Sequence, residues 1–325
     1  MKAMKISTAT SDYLEYLQVE RNRSPKTIVA YRHYLERLMG WLGKDIEIEQ
    51  LSAQQVRKYR LYLAQFEDEY GEPLTLRTQT YHVIALRSLL RYCIKRDLAC
   101  LSPDKIELPK PEDHAIQYLS AEDLERLLTI PDTSTMGGLR DRALMELLFS
   151  TGLRVAELTG LDRRMLSTET GEMRVIGKGR KERIVFISDR AKEWMRAYLD
   201  RRSDTSEAAF VGYRGKGTSV DPSPQVEAQA TRLTPRSVDR LIQKHALEAG
   251  IVKNVTPHSL RHSFATDLLL NGADIRSVQT LLGHASITTT QVYTHITNQR
   301  LREVHNRFHG KGLDKDSPEQ EKPKP

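Results

Sequence analysis

The sequence predicts a mainly helical protein of two domains, with a small antiparallel β-sheet in the second domain. Apolar residues recur at helical spacing over most of the chain, and Ser-Pro or Thr-Pro pairs mark several helix starts. A length of 325 residues suits two domains of ordinary size. Only residues 172–187 read clearly as two strands, placed around a basic, glycine-rich turn, which favours a β-hairpin.

The first domain, residues 1–103, is predicted to be a bundle of four helices with short connections. Ser24, followed by a proline, marks one helix start, and Gly43 marks the end of that helix. Ser52 opens the next helix as the first residue of a capping box. Cys93 falls in the apolar run of the last helix, so we expect it to be a small core residue.

The second domain is predicted to span residues 119–309. Prolines and a lack of periodicity indicate that residues 104–118 form the linker before it. Within it, a stretch rich in glycine, proline and serine at 212–232 is expected to be a flexible insertion. The charged segment 310–325 is expected to be a disordered tail.

Helix and strand signals continue after the hairpin. A short strand is predicted at Ala208–Val211. Helices are predicted to begin at Thr234, at Thr256 and near Asp274. A last helix, from about Asn298, carries an apolar stripe that can pack within the protomer or against a neighbouring one.

Composition narrows the class of protein. Lysine and arginine exceed the acidic residues by 50 to 43, a balance that favours polyanionic partners only weakly. The N-terminus lacks an apolar signal core, and no stretch approaches membrane-spanning length. The cysteines, Cys93 and Cys100, form no paired C-x-x-C motif. We therefore expect a cytoplasmic protein without a membrane anchor, a disulfide framework or a cysteine-based zinc site.

His258 and Arg261 lie three residues apart in the first turn of the helix that Thr256 is predicted to cap. This spacing puts both side chains on one face, where the backbone N–H groups already favour an anion. An arginine there can grip two phosphate oxygens; the alternative is a solvated arginine beside a core histidine. His258 and His262 also have the spacing of metal ligands, but Ser259 stands where a zinc protease motif needs glutamate, so no metal site is predicted.

Arg154 follows the helix-breaking Gly152, so its guanidinium is expected to project from a turn. Glu157, three residues later, is placed to orient it; the alternative is an ordinary surface ion pair. Lys178 stands between glycines at the predicted hairpin tip. Such a tip can reach into a groove, but Gly-Lys-Gly is also a common turn. Further cations nearby are expected to bind DNA phosphate: Arg180, Lys181 and Arg183.

Tyr293 is a candidate nucleophile because of the residues around it, since the chain has 13 tyrosines. A free tyrosine has a pKa of about 10 and is a poor nucleophile at neutral pH. Nearby cations would stabilise its phenolate, and a hydrogen-bonding base would take its proton. His284 precedes it in a Leu-Gly-His segment.

Together these segments resemble the tyrosine recombinase, or phage integrase-like, family over about residues 8–309. The match rests on the box around Arg154, on the hairpin lysine Lys178, and on a C-terminal box from His258 to Tyr293. The first helices look like the family's core-binding, SAM-like domain. The resemblance therefore implies a tyrosine recombinase fold, in which the second domain is catalytic.

The resemblance also implies the catalytic set: Arg154, Lys178, His258, Arg261, His284 and Tyr293. In that scheme the tyrosine attacks a scissile phosphate, giving a 3′-phosphotyrosyl link and a free 5′-hydroxyl. The arginines neutralise charge on the phosphorane, the first histidine handles the tyrosine proton and the second hydrogen-bonds the phosphate. The lysine protonates the leaving 5′-oxygen. No metal or other cofactor is implied.

Within the family the chain is most similar to Xer-type recombinases, because it begins directly with the core-binding helices. The implied partners are two double-stranded DNA sites, held by a homotetramer or by a heterotetramer with a paralogue, and a DNA translocase is a further candidate. The implied function is resolution of chromosome or plasmid dimers. The alternatives are an integrase of a mobile element, an inactive DNA-binding relative and a type IB topoisomerase.

Overall fold

The computed structural model describes five stretches of the chain: residues 4–109, 118–166, 170–177, 182–212 and 230–283. Contacts divide the chain into two units, Met1–Asp113 and His114–Pro325. Each unit has its own hydrophobic core. The division falls inside the segment that the sequence predicts to be the linker.

The first unit contains the four predicted helices. They are Ile6–Val19 (α1), Pro25–Leu42 (α2), Ala53–Gln65 (α3) and Leu76–Lys95 (α4). The hydroxyl of Ser24 accepts a hydrogen bond from the backbone N–H of Thr27 at 3.3 Å, and Ser52 forms the predicted capping box. Gly43 ends α2 with a φ of 67°, a conformation that favours glycine. The predicted four-helix bundle is confirmed.

The core of the first unit is formed by the apolar faces of these helices. Leu89 and Cys93 are completely buried in it, as expected for the cysteine. Burial raises the pKa of the Cys93 thiol to about 12, so this thiol is unreactive at neutral pH. Packing continues past residue 103, because Ile106 is only 3% exposed and lies in the same apolar cluster. The first unit therefore includes residues that the sequence assigns to the linker.

The second unit is built around a central helix. Its first helices are Ala121–Thr129 (α5), Met136–Thr151 (α6), Val155–Thr159 (α7) and Asp189–Asp200 (α8). Ser120 caps α5 as predicted, its hydroxyl accepting a hydrogen bond from Asp123 N. Twelve of the 16 residues of α6 are buried, which is typical of a helix enclosed on all sides.

The strands form two small antiparallel sheets in the described part of the second unit. The predicted hairpin consists of Glu172–Ile176 (β1) and Glu182–Phe186 (β2). Val211–Gly212 (β3) pairs with Thr231–Arg232 (β4). The third strand begins at Val211 rather than at the predicted Ala208. Ala208 forms only an isolated antiparallel bridge, with Asp162, and the guanidinium of Arg202 donates hydrogen bonds of 2.7 Å to the carbonyls of residues 208 and 209.

Three further helices complete the described part of the second unit: Pro235–Glu248 (α9), Pro257–Leu270 (α10) and Ile275–Leu282 (α11). They begin at the predicted caps, Thr234, Thr256 and Asp274. Helix α10 packs against α6, and α11 packs against both α10 and β2. This packing brings the end of α11 to the hairpin.

The fold class predicted from the sequence is confirmed: the described residues are mainly helical, with small antiparallel sheets. Within these residues, no helix has both the length and the apolar character needed to cross a bilayer. The middle of the predicted insertion, the helix expected from Asn298 and the tail 310–325 lie outside the described part of the chain.

Candidate active site

Arg154 projects from the turn that the sequence predicts. Helix α6 ends at Gly152, whose φ of 60° lies in the left-handed region, and Arg154 caps the start of α7. The carboxylate of Glu157 accepts two hydrogen bonds of 2.9 Å, one from the backbone N–H of Arg154 and one from its Nη1. Glu157 is therefore in direct contact with Arg154, and the side chain of Arg154 stays 29% exposed.

Arg261 is the buried member of the site. It is the fifth residue of α10 and is only 4% exposed. Its Nη1 donates to the carbonyl of Gly152, and its Nη2 donates to the carbonyl of Leu282 at 2.6 Å. Arg261 thus joins the ends of α6 and α11, two segments that lie 130 residues apart (152 to 282).

The end of α11 is held by both arginines. Gly283 ends this helix with a φ of 63°, and its carbonyl accepts a hydrogen bond from Arg154 Nη2 at 3.3 Å. The next residue is His284, which the resemblance assigns to the site. The segment that leads to the predicted nucleophile therefore starts beside the two arginines.

Glu157 and His258 both have pKa values below their ordinary values. Burial would raise the pKa of Glu157, but hydrogen bonds from Arg183 and from Arg154 outweigh it and lower the pKa to about 2. Desolvation lowers the pKa of His258 below its ordinary value, and the positive charges of Arg261 and Arg154 lower it further. At neutral pH, Glu157 is therefore an anion and His258 is uncharged.

His262, the other half of the possible metal pair, lies on α10 one turn after His258. Desolvation lowers its pKa to about 4, with further contributions from His258 and Arg261. Within the residues that the structure describes, no group of three or more His, Cys, Asp or Glu side chains is arranged to hold a metal ion.

Five of the ten predicted site residues lie in the described part of the chain. The structure brings together Arg154, Glu157, His258 and Arg261. The other five lie outside the described part of the chain: Lys178, Arg180, Lys181, His284 and Tyr293. Their places in the site stay predictions.

Arg183 makes a contact that the sequence did not predict, and its binding of DNA phosphate stays a prediction at this point. Its Nη1 and Nη2 donate to the two carboxylate oxygens of Glu157, at 3.0 and 2.7 Å, and its side chain is 11% exposed. The alternation of side chains along β2 indicates that Arg183 points inward, because Arg183 shares one face of this strand with the buried Val185. Sequence reasoning grouped it with the basic turn and missed this contact.

Gly152→Ala is expected to lower both stability and activity. The positive φ strains any other residue, and an added Cβ would lie 2.5 Å from Cδ1 of Phe264. Relief requires a shift of the turn that carries Arg154 and of the carbonyl that Arg261 binds. We expect a loss of about 1–3 kcal/mol in the free energy of unfolding, measured by urea denaturation.

Gly137→Ala is the matched control, since it lies in the same helix and an added Cβ would meet nothing within 4 Å. Alanine is a better helix former than glycine by about 1 kcal/mol, so this variant is expected to be as stable as the wild type or more stable. Equal stability of the Gly152→Ala protein would contradict the tight packing of this turn.

Models of two families match the chain. The phage integrase family matches residues 117–300, and the phage integrase N-terminal SAM-like domain matches residues 11–97. Tyrosine recombinase XerD from Listeria monocytogenes serovar 1/2a is 37% identical over 306 residues, which cover 92% of this chain and 97% of that protein. Tyrosine recombinase XerC from Pelobacter propionicus is 37% identical over 299 residues, covering 91% and 93%.

Solved structures share the fold. The XerH site-specific recombinase bound to a palindromic difH substrate has a TM-score of 0.65 at 23% identity, covering 92% of this chain and 84% of that one. A lambda integrase dimer bound to a COC′ core site has a TM-score of 0.67 at 17% identity, covering 89% and 95%. These likenesses confirm the tyrosine recombinase fold that the sequence resemblance implies.

The chain therefore belongs to the phage integrase family. Within that family its similarity is to the Xer tyrosine recombinases, XerD and XerC, over most of its length.

Proposed function

We propose that this protein is a site-specific DNA recombinase of the Xer type, an enzyme that cleaves and rejoins DNA through a 3′-phosphotyrosyl intermediate. One observation carries the proposal: Arg154 and Arg261, which lie 107 residues apart in the sequence, both donate hydrogen bonds to carbonyls at the end of α11, and His258 lies one turn before Arg261 on α10. The similarity to XerD and XerC supports the same class. It favours this class over a mobile-element integrase or an inactive relative.

The two arginines are suited to stabilising a transferring phosphoryl group. Arg154 keeps part of its guanidinium exposed, while Arg261 is held rigidly by two backbone carbonyls. Cations that are fixed before the reaction need no reorganisation when charge develops on the phosphorane oxygens. Two such groups supply the electrostatic stabilisation that a metal ion supplies in other phosphoryl-transfer enzymes.

His258 is suited to receive a proton. It lies on the exposed side of α10, and its lowered pKa keeps the imidazole uncharged at neutral pH. An uncharged imidazole can accept the phenolic proton as the tyrosine attacks. The arginines that lower the pKa of His258 would also favour the phenolate of an attacking tyrosine.

In the proposed reaction the phenolic oxygen of Tyr293 bonds to phosphorus while the bond to the 5′-oxygen breaks. The phenolic proton passes to His258, Lys178 gives a proton to the leaving oxygen, and His284 donates a hydrogen bond to a non-bridging oxygen. Rejoining reverses these steps with a 5′-hydroxyl from the partner strand. The phosphotyrosyl ester conserves the bond energy, so rejoining needs neither ATP nor another cofactor.

The proposed assembly is a tetramer on two DNA duplexes, made of this chain alone or with a paralogue. It acts in the cytoplasm, where it resolves chromosome or plasmid dimers, and a DNA translocase is a candidate trigger. Cations at the hairpin tip, Arg180 and Lys181, would contact DNA phosphate. Such contacts release counterions, so DNA binding should weaken steeply as salt rises.

The proposal is tested by mapping covalent protein–DNA adducts across DNA of the source genome. We expect adducts at one or a few specific sites, and resolution of a plasmid that carries two copies of such a site, with activity undiminished by excess EDTA. Relaxation of any supercoiled DNA without a preferred site would instead indicate a topoisomerase. Activity that EDTA removes and added metal restores would contradict the metal-free mechanism.

A further inference from the structure

Arg183 uses all three of its guanidinium nitrogens in hydrogen bonds to other parts of the second unit. Its Nη1 and Nη2 bind Glu157 as a two-pronged pair, and its Nε donates to the carbonyl of Leu281 at 3.2 Å. The side chains of both partners in this ion pair are almost wholly buried, 11% exposed for Arg183 and 7% for Glu157.

These contacts join three parts of the molecule. Arg183 lies on β2, the strand that follows the turn carrying Lys178, while Glu157 lies on α7 and Leu281 lies near the end of α11. The end of α11 also packs tightly against this side chain. A Cβ added at Gly283 would lie only 2.9 Å from Cδ of Arg183.

We propose that Arg183 is a positioning residue of the strand-transfer reaction, rather than a ligand of DNA phosphate. It holds Glu157, and through Glu157 it holds Arg154, while it ties the lysine hairpin to the end of α11. This inference rests on the proposed function, because positioning matters only if Arg154 and Lys178 act on a phosphate.

Geometry separates the roles of the two arginines that share Glu157. Arg154 uses one guanidinium nitrogen on the carboxylate and remains partly exposed. Arg183 uses its two terminal nitrogens on the carboxylate and its third on a carbonyl. A phosphate that recruited Arg183 would have to break a buried, charge-assisted pair and leave Glu157 short of partners, which is costly.

The shared carboxylate explains why the second arginine matters. Each oxygen of Glu157 accepts from Arg183, and Arg154 contributes one backbone and one side-chain hydrogen bond. Without Arg183, both oxygens are open to the guanidinium of Arg154, which can then bind in a two-pronged way. Arg154 would be drawn toward Glu157 and away from a substrate phosphate.

The test compares Arg183→Gln and Arg183→Lys with the wild type on a nicked suicide substrate at saturating protein. We expect the rate of adduct formation to fall about 100-fold, the scale of a 1 Å displacement of a reacting group. Arg183→Lys should restore little of it, since an ammonium group cannot reproduce the two-pronged contact. Arg174→Gln, an exposed arginine on the neighbouring strand, is the matched control and should keep the wild-type rate.

Salt dependence distinguishes positioning from phosphate binding. An arginine that contacts phosphate contributes about one unit to the slope of log affinity against log salt. We expect DNA affinity and its salt slope in both Arg183 variants to match those of the wild type. A slope reduced by about one unit would overturn the inference and restore Arg183 as a phosphate ligand.

The pH profile gives a readout that general destabilisation does not. Glu157 hydrogen-bonds two charged groups, Arg183 on β2 and Arg154 on its own helix. Arg183→Gln removes its strongest partner while burial remains, so the pKa of Glu157 should rise. The Arg183→Gln rate should then fall, relative to wild type, as the pH drops from 8 to 5. Titration of His258 affects both proteins and cancels in the ratio.

The double variant Glu157→Gln with Arg183→Gln completes the experiment. If Arg183 acts through Glu157, the double variant should be no slower than the slower single variant and should lack the extra pH dependence. Independent, multiplying effects would overturn the inference, as would wild-type rates in folded Arg183→Gln and Arg183→Lys proteins. If Arg183→Gln does not fold, the rate and the salt slope of Arg183→Lys decide whether the inference holds. A wild type that forms no adduct would reject the proposed function itself.

Discussion

Replacing Tyr293 by phenylalanine is expected to abolish the covalent protein–DNA adduct while leaving DNA binding intact. The substitution removes one oxygen and keeps the ring, so no atom remains that can attack phosphorus. In another enzyme, loss of the catalytic nucleophile lowers the rate by about a million-fold. A loss of that size would take the adduct below detection. The arginines and their contacts are unaffected by this change, so the phosphate would still be bound.

The measurement uses a nicked suicide substrate that carries a mapped site, followed by a denaturing gel and a separate binding assay. Tyr118→Phe is the matched control, because Tyr118 is an exposed tyrosine of the same unit and has no assigned role. It should give the wild-type yield of adduct. An equal yield from the Tyr293→Phe protein would exclude Tyr293 as the nucleophile.

Helix starts were predictable from the sequence because their signals are local. Ser24, Ser52, Ser120, Thr234 and Thr256 each accept a hydrogen bond from a backbone N–H three residues later, so each start is encoded within one turn of chain. The pairing of Arg154 with Glu157 was predictable for the same reason, since the two residues are three apart.

Contacts between distant segments were not predictable in the same way. Arg261 binds the carbonyls of Gly152 and Leu282, and a backbone carbonyl has no residue-specific signature in a sequence. Arg183 lies 26 residues from Glu157 in the sequence. Only the alternation of side chains along β2 indicated that Arg183 faces the interior. The motif that marks the site thus gives the residue types, while the packing of α6, α10 and α11 decides which cations are exposed to a substrate.

Replacing Arg261 is expected to lower catalysis and stability together, because the same guanidinium stabilises charge and joins two helix ends. Arg261→Met keeps most of the side-chain volume but leaves the carbonyls of Gly152 and Leu282 without their donor. Each buried acceptor left unpaired costs about 1–3 kcal/mol. Loss of one preorganised donor to the transition state costs about 100- to 1000-fold in rate.

Arg261→Lys separates the two effects, since it keeps the charge but cannot reach two carbonyls in a fixed fork. Urea denaturation should place its stability between those of the wild type and Arg261→Met, while its rate of adduct formation stays close to that of Arg261→Met. Arg276→Ala, an exposed arginine on α11, should change neither. A methionine variant that loses stability but cleaves at the wild-type rate would make Arg261 a structural clamp alone. Arg154 would then have to supply the electrostatic stabilisation of the phosphate.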